Sequence, residues 1–195
     1  LPGFLPESVC KHLIEKFDND DNKEDGVVTY AKKTFVEKQM KNSKELYISD
    51  KCNWINEDNT ISNYTQMGIK LYSKYLSEEY KYNQPFNTFE SLINYIETDV
   101  ILNTGYTLQR QPKGAKYGWH YDSMPNSFLF GMLYLNTLEP NEDGCTEFIN
   151  GRKVRPECGK LVLFPASWTY AHCGNEVKGK YKYILTFIIM VDGLH

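Results

Sequence analysis

Two histidines and an aspartate carry the first chemical signal. In Trp119-His120-Tyr121-Asp122 an imidazole and a carboxylate stand two residues apart, which on an extended strand puts both side chains on one face. His172 follows fifty residues after Asp122, beyond an apolar run from Lys160 to Phe164 and a loop starting at Pro165. An antiparallel sandwich can return that segment beside the first strand. Two imidazoles and one carboxylate fill one face of an octahedral metal and leave three positions open, which suits non-haem Fe(II) oxygen chemistry. A structural zinc site would instead close its coordination with protein ligands. Taken singly, each signal is weak: a His-x-Asp pair is also an ordinary surface hydrogen bond, and a lone histidine an ordinary structural residue.

Lys182 stands ten residues past His172 and opens the apolar strand Tyr183 to Ile188. A cation aimed into a β-sandwich is costly unless an anion meets it. The plainer alternative leaves Lys182 facing solvent beside Lys178 and Lys180. Trp119, Trp168 and Tyr170 flank the candidate ligands and either wall the mouth of a site or pack in the core. Arg110 either lines a pocket or pairs with a surface acid, and His12 and His195 look incidental.

These residues need a frame. After Asp99, short β-prone runs (Val100 to Leu102, Phe128 to Leu135, Cys145 to Ile149, Lys160 to Phe164, Tyr183 to Val191) alternate with Pro/Gly turns, the texture of an antiparallel sandwich or barrel. The N-terminal half reads as mixed and helix-bearing. Val9, Leu13, Ile14 and Phe17 predict an amphipathic helix. Met67, Leu71, Tyr75 and Leu76 predict a second within 64–82, and Phe89, Leu92, Ile93 and Ile96 a third; all three stripes are expected to pack in the core. Asp18 to Asp25 is expected to be a solvated loop. With no repeat and no long linker, one domain spanning 1–195 is expected: 1–99 as support, 100–191 as β core.

A net charge of -3 and a pI near 5.9 offer no broad attraction to nucleic acid or acidic membrane. The longest apolar runs are shorter than a membrane span, and Leu1 to Phe4 lacks the basic start and apolar segment of a leader. The missing initiator Met suggests a trimmed chain. Five cysteines without a Cys-x-x-Cys pair predict reduced, mostly buried thiols and a reducing, cytoplasmic setting.

In order along the chain stand Pro112-Lys113-Gly114 before His120-Tyr121-Asp122-Ser123, then Leu133-Tyr134-Leu135-Asn136, Gly144-Cys145-Thr146-Glu147-Phe148, Gly159 to Phe164, His172, and Lys182-Tyr183. This order resembles the prolyl 4-hydroxylase-like branch of the 2-oxoglutarate-dependent oxygenases, and Phe4 to Cys10 resembles that family's first helix. The resemblance implies a double-stranded β-helix (jelly roll) buttressed by N-terminal helices. It implies Fe(II) on His120, Asp122 and His172, with Lys182 and Tyr134 on the distal carboxylate of 2-oxoglutarate and Gln111 and Thr146 in the same pocket. It further implies O2 as oxidant, ascorbate as a supporting reductant, and oxidative decarboxylation to succinate and CO2 coupled to hydroxylation of a C–H bond. Related halogenases lack the carboxylate that Asp122 supplies.

Three departures bear on the substrate. Gln111 stands where many members have Tyr, Glu176-Val177 where many have Pro-Val, and Pro125 to Phe128 lacks the Arg of collagen-type enzymes. A peptide or protein proline is the first expectation, a free amino acid or small metabolite the second. A cupin-like metal module without 2-oxoglutarate is the reading from another class, separated from the first two by whether Lys182 and Tyr134 reach a pocket beside the metal.

Overall fold

The computed structural model describes residues 1–30, 33–79, 101–122 and 124–191. The predicted third helix (Phe89, Leu92, Ile93, Ile96) lies outside them, as do Val100, Ser123 and His195.

Two helices come first. The first, α1 (Glu7–Asn19), buries Cys10, Leu13 and Phe17, close to the predicted stripe. Along α2 (Ile55–Glu79) the expectation fails in phase. Met67 (54%), Leu71 and Tyr75 are exposed, while Ile61, Thr65, Ile69, Ser73 and Leu76 face inward. Threonine and serine interrupt the buried stripe, so the more hydrophobic residues trace the wrong face. The stretch Asp18 to Asp25 is also less solvated than predicted. Asp20 is buried and accepts the Trp54 indole N–H at 2.8 Å, which with the Asn22 contacts holds its carboxyl down at about 2 despite burial.

The remaining chain is β-rich. Short strands β1 (Glu24–Asp25), β2 (Val28–Tyr30), β3 (Lys33–Phe35) and β4 (Lys44–Tyr47) precede α2. After it come β5 (Ile101–Asn103), β6 (Thr107–Pro112), β7 (Tyr117–His120), β8 (Ser127–Tyr134), β9 (Thr146–Phe148), β10 (Lys153–Val154), β11 (Leu161–Pro165), β12 (His172–Gly174) and β13 (Tyr181–Val191). A major sheet runs β1-β4-β6-β13-β8-β11, with β5 also on β13; a minor sheet runs β10-β9-β12-β7. All named pairings in both are antiparallel. This is the expected mainly β, jelly-roll architecture with helical support. β1 and β4 add a finding, since the support region extends the major sheet itself.

Side chains alternate along the central strands with period two. Leu129 and Leu133 of β8, with Leu185, Phe187 and Ile189 of β13, meet Leu13, Phe17, Trp54, Ile61 and Ile69 under the helices. Phe130, Met132 and Tyr134 of β8, with Ile184, face Phe148 of the minor sheet. Strands buried on both faces read as unbroken apolar runs, which is why β8 and β13 are prominent in the sequence. Gly131 interrupts β8 because a Cβ there would overlap the Phe187 ring. Gly131→Ala is therefore expected to destabilise the fold by about 1–3 kcal/mol through overpacking, read as a lowered denaturation midpoint. An unchanged midpoint would mean that the ring yields freely.

Candidate metal centre

The two candidate imidazoles sit on paired strands. His172 on β12 lies directly opposite His120 on β7 and, on its other side, opposite Phe148 of β9. Asp122 lies two residues past the end of β7 rather than on it, yet its carboxylate still turns toward both rings. Ligand atoms of all three lie within 4.8 Å of one another. Asp122 Oδ2 is 3.5 Å from His172 Nε2, and Oδ1 is 4.0 Å from His120 Nε2. These separations are too long for hydrogen bonds and short enough for one ion to lie between the groups.

Proton placement favours a metal. His120 Nδ1 donates to the Gly118 carbonyl at 2.8 Å, and His172 Nδ1 donates to the Tyr170 carbonyl at 3.0 Å. A carbonyl only accepts, so Nδ1 carries the hydrogen and each Nε2 turns its lone pair inward. Burial, helped by the neighbouring His172, holds His120 down at about 3. Burial also lowers His172 and raises Asp122 to about 6, with Lys41 acting against that rise. At neutral pH both rings are neutral and the carboxylate ionised, the ligand form of each. Asp122 Oδ2 is buried without a hydrogen-bond partner. An orphaned carboxylate oxygen facing two imidazole lone pairs fits a divalent cation such as Fe(II).

The triad opens on a cavity of about 230 Å³. Alternate residues of β6 (Thr107, Gln109, Gln111) and β13 (Lys182, Ile184, Thr186) form one wall, with Thr146 and Gly174 from the minor sheet opposite. Lys182 settles the choice left by its sequence: it is 1% exposed and lines the cavity. Among the described residues no carboxylate or hydrogen-bond partner meets its ammonium. The Tyr134 ring stands 5.6 Å away, and Asp143, the nearby acid, is 3.7 Å from Lys178 instead. Burial pulls Lys182 down to about 8.

Other predicted residues fall where their environments dictate. Gln111 is the cross-strand neighbour of Lys182, buried with Oε1 unpartnered. Tyr134 is wholly buried behind Thr146: its hydroxyl is 2.7 Å from Thr146 Oγ1, and only Thr146 reaches the cavity. Arg110 pairs with Asp18 at 2.8 Å, away from the cavity. Trp119, Trp168 (72%) and Tyr170 are exposed, so their core alternative fails. His12 is not incidental, since it bonds Glu57 at 2.7 Å and ties α1 to α2.

Sequence reasoning missed the far wall. Lys41 and Glu45 form an ion pair of 2.7 Å lining the cavity. The Lys41 ammonium lies 5.1 Å from the Tyr117 ring centre, and that ring stacks on His120 at 3.7 Å. They lie almost eighty residues before the triad, with no local motif; the β4–β6 pairing and the bridge of Lys41 to Tyr117 bring them in.

The model for the 2OG-Fe(II) oxygenase superfamily matches residues 106–190, which holds the triad and Lys182. That segment is similar to the 2OG-Fe(II) oxygenases. No curated protein matches it, but solved structures do. A viral collagen prolyl hydroxylase from Paramecium Bursaria Chlorella virus-1, solved with 2OG, shares 18% identity at a TM-score of 0.61, covering 98% of this chain and 94% of that one. A Pseudomonas putida prolyl-4-hydroxylase shares 18% at 0.65, covering 97% and 90%. A Trichoplax adhaerens prolyl hydroxylase, solved with a hypoxia inducible factor peptide fragment, shares 15% at 0.64, covering 98% and 82%. At these identities the likeness is one of fold. The chain is a 2-oxoglutarate-dependent dioxygenase, with Fe(II) and 2-oxoglutarate as its cofactor and co-substrate. The reading as a cupin-like module without 2-oxoglutarate is set aside.

Lys182 yields a prediction with opposite signs in two measurements. Its folded pKa lies below its unfolded value, so burying the cation weakens the ligand-free fold at every pH below about 8. The penalty fades as pH rises from there to the unfolded value near 10.4. At neutral pH it is on the order of 3 kcal/mol. Lys182→Met, which keeps an apolar stem, is expected to raise the ligand-free melting temperature by several degrees. It should also abolish the rise that 2-oxoglutarate produces with Mn(II) as redox-inert metal. A variant that melts lower yet keeps the ligand-induced rise would contradict this.

Proposed function

We propose that this dioxygenase hydroxylates a residue of a peptide or protein chain, with proline as the target, and that 1–195 works as one oxygenase domain. His120, Asp122 and His172 would hold Fe(II), and Lys182 the distal carboxylate of 2-oxoglutarate. The observation that carries the chemistry is the buried, unpartnered Lys182 ammonium in the cavity onto which the triad opens. A dicarboxylate co-substrate supplies the missing anion. Bound Fe(II) supplies dioxygen activation, with decarboxylation of the keto acid to succinate.

The chain's own groups do the rest. Thr146 presents its hydroxyl to the co-substrate, and Tyr134 orients it from behind by donating to Thr146 Oγ1. Gln111 offers its amide beside Lys182. Phe130, Phe148 and Phe164 pack around His172, at ring distances of 6.1, 5.6 and 5.1 Å, and exclude water from that side of the metal.

Two observations support a peptide. Similar solved structures are prolyl hydroxylases, one with a bound peptide fragment. Trp119, Tyr121 and Trp168, near the triad in sequence, are exposed, and exposed aromatics dock extended proline-rich chains. A free amino acid is the second reading, favoured by Lys41 and Glu45, which set a cation and an anion side by side on the cavity wall.

Incubating iron-loaded enzyme with 2-oxoglutarate, O2, ascorbate and either a proline-containing peptide library or free amino acids separates these readings. One added oxygen on a peptide prolyl residue, with matching succinate, is expected. Oxidation of free amino acids alone would replace the peptide reading. Succinate release should fall at least ~100-fold in His120→Ala and Asp122→Ala, since the ligands act as a unit; normal turnover in either would remove the triad assignment.

A further inference from the structure

The two histidine ligands are not held alike. His172 lies between two strands, opposite His120 on one side and Phe148 on the other. His120 is the last residue of β7, the edge strand of the minor sheet. The end of an edge strand is where a chain opens most readily, so an imidazole there keeps its direction only if something backs it. The backing comes from the segment before β4. The Gly118 N–H donates to the Met40 carbonyl at 2.9 Å, and Lys41 forms an antiparallel bridge with Tyr117. The Gly118 carbonyl in turn accepts from His120 Nδ1. Side chains add a second hold. The Tyr117 ring lies 3.7 Å from that of His120, only 21° from parallel. Lys41 is buried, with its ammonium over the Tyr117 ring at 5.1 Å. Glu45 Oε1 anchors that ammonium at 2.7 Å and also accepts the Ser43 hydroxyl at 2.7 Å.

We propose that Lys41 is a positioning residue of the metal centre. The Lys41–Glu45 pair fixes the Tyr117 ring, and that ring fixes the His120 imidazole with Nε2 turned to the ion. A buried ion pair is weak evidence of stability, because apolar groups of similar volume often serve as well. What this one adds is direction. The Nζ–Oε1 contact holds the ammonium in place, and a cation draws the face of an aromatic ring toward itself. Because the pair carries no net charge, it orders the ring without adding a net charge to the wall beside the ion. Groups that orient a ligating histidine from outside the coordination sphere govern metal affinity. Here that task falls to a segment almost eighty residues before the ligand. The role rests on the reading that the triad holds a divalent cation.

Titration of the full chain with Co(II), followed through the visible d–d bands that report its ligands, tests this. Lys41→Met combined with Glu45→Gln removes both charges and leaves the net charge of the wall unchanged. This pair variant is expected to bind Co(II) at least ~10-fold more weakly than the wild type, with shifted bands. A purely structural pair would move the melting temperature of the metal-free protein and leave Co(II) affinity alone. Tyr117→Phe keeps the ring and should bind as the wild type does. Tyr117→Leu should bind as weakly as the pair variant, and combining the two should cost less than about twofold more, since both break one chain of contacts. If Tyr117→Leu does not fold, the pair variant and Tyr117→Phe decide between them. Wild-type affinity in the pair variant, a loss in Tyr117→Phe, or fully additive losses would each overturn the proposal. So would unchanged Co(II) affinity with a raised KM for peptide or amino acid, which would place the pair on the substrate instead. A wild type that binds no Co(II) would overturn the triad reading as well, so the two failures are told apart.

Discussion

The structure is organised around a buried positive charge for which the described residues offer no counter-ion. Lys182 lies in the interior of the β core, where an isolated ammonium is strongly disfavoured. Its nearest aromatic ring belongs to Tyr134, and its cross-strand neighbour is the amide of Gln111. A fold designed for stability alone would place an apolar side chain there. Keeping the cation makes sense when its partner arrives from solution as a carboxylate that also reaches the metal. The same dry setting keeps both histidines neutral and leaves the Asp122 carboxylate without a hydrogen bond on one oxygen. Anion site and metal site are thus consequences of one low-dielectric cavity.

Two antiparallel sheets make that cavity possible. The central strands β8 and β13 bury one face under the helices and the other against the minor sheet. Lys182 projects from β13, while β7 and β12 set His120 and His172 opposite each other. The N-terminal half does more than cover this core. Its strand β4 pairs with β6 and brings Glu45, with its ion-pair partner Lys41, to the cavity wall. The hydrogen bond from the Leu5 N–H to the Gly159 carbonyl is likewise a contact between the two halves of the chain.

Much of the site was legible because its signals are local or ordered. The two-residue spacing of His120 and Asp122, the later His172 and the apolar strand after Lys182 locate the chemistry, and the strong strands of the second half stand out because both their faces are buried. What escaped was non-local or out of phase. Asp122 sits past the strand that was expected to hold it, and the short β12 has only three residues to announce itself. Thr146 stands between Tyr134 and the cavity, a screening that no linear pattern encodes. The exposed Met67, Leu71 and Tyr75 mimic a core stripe, whereas the true one passes through Thr65 and Ser73. Lys41 and Glu45 read as ordinary surface charges until β4 is paired.

The central claim is that the Lys182 ammonium awaits the distal carboxylate of the keto acid bound at the metal. Calorimetric titration of the Mn(II)-loaded protein with 2-oxoglutarate and with 2-oxobutanoate, which keeps the chelating end and lacks the distal carboxylate, measures it directly. A charge-assisted contact of about 3 kcal/mol predicts roughly 100-fold weaker binding of the shorter acid. Equal affinities would show that Lys182 meets no carboxylate and would contradict the account.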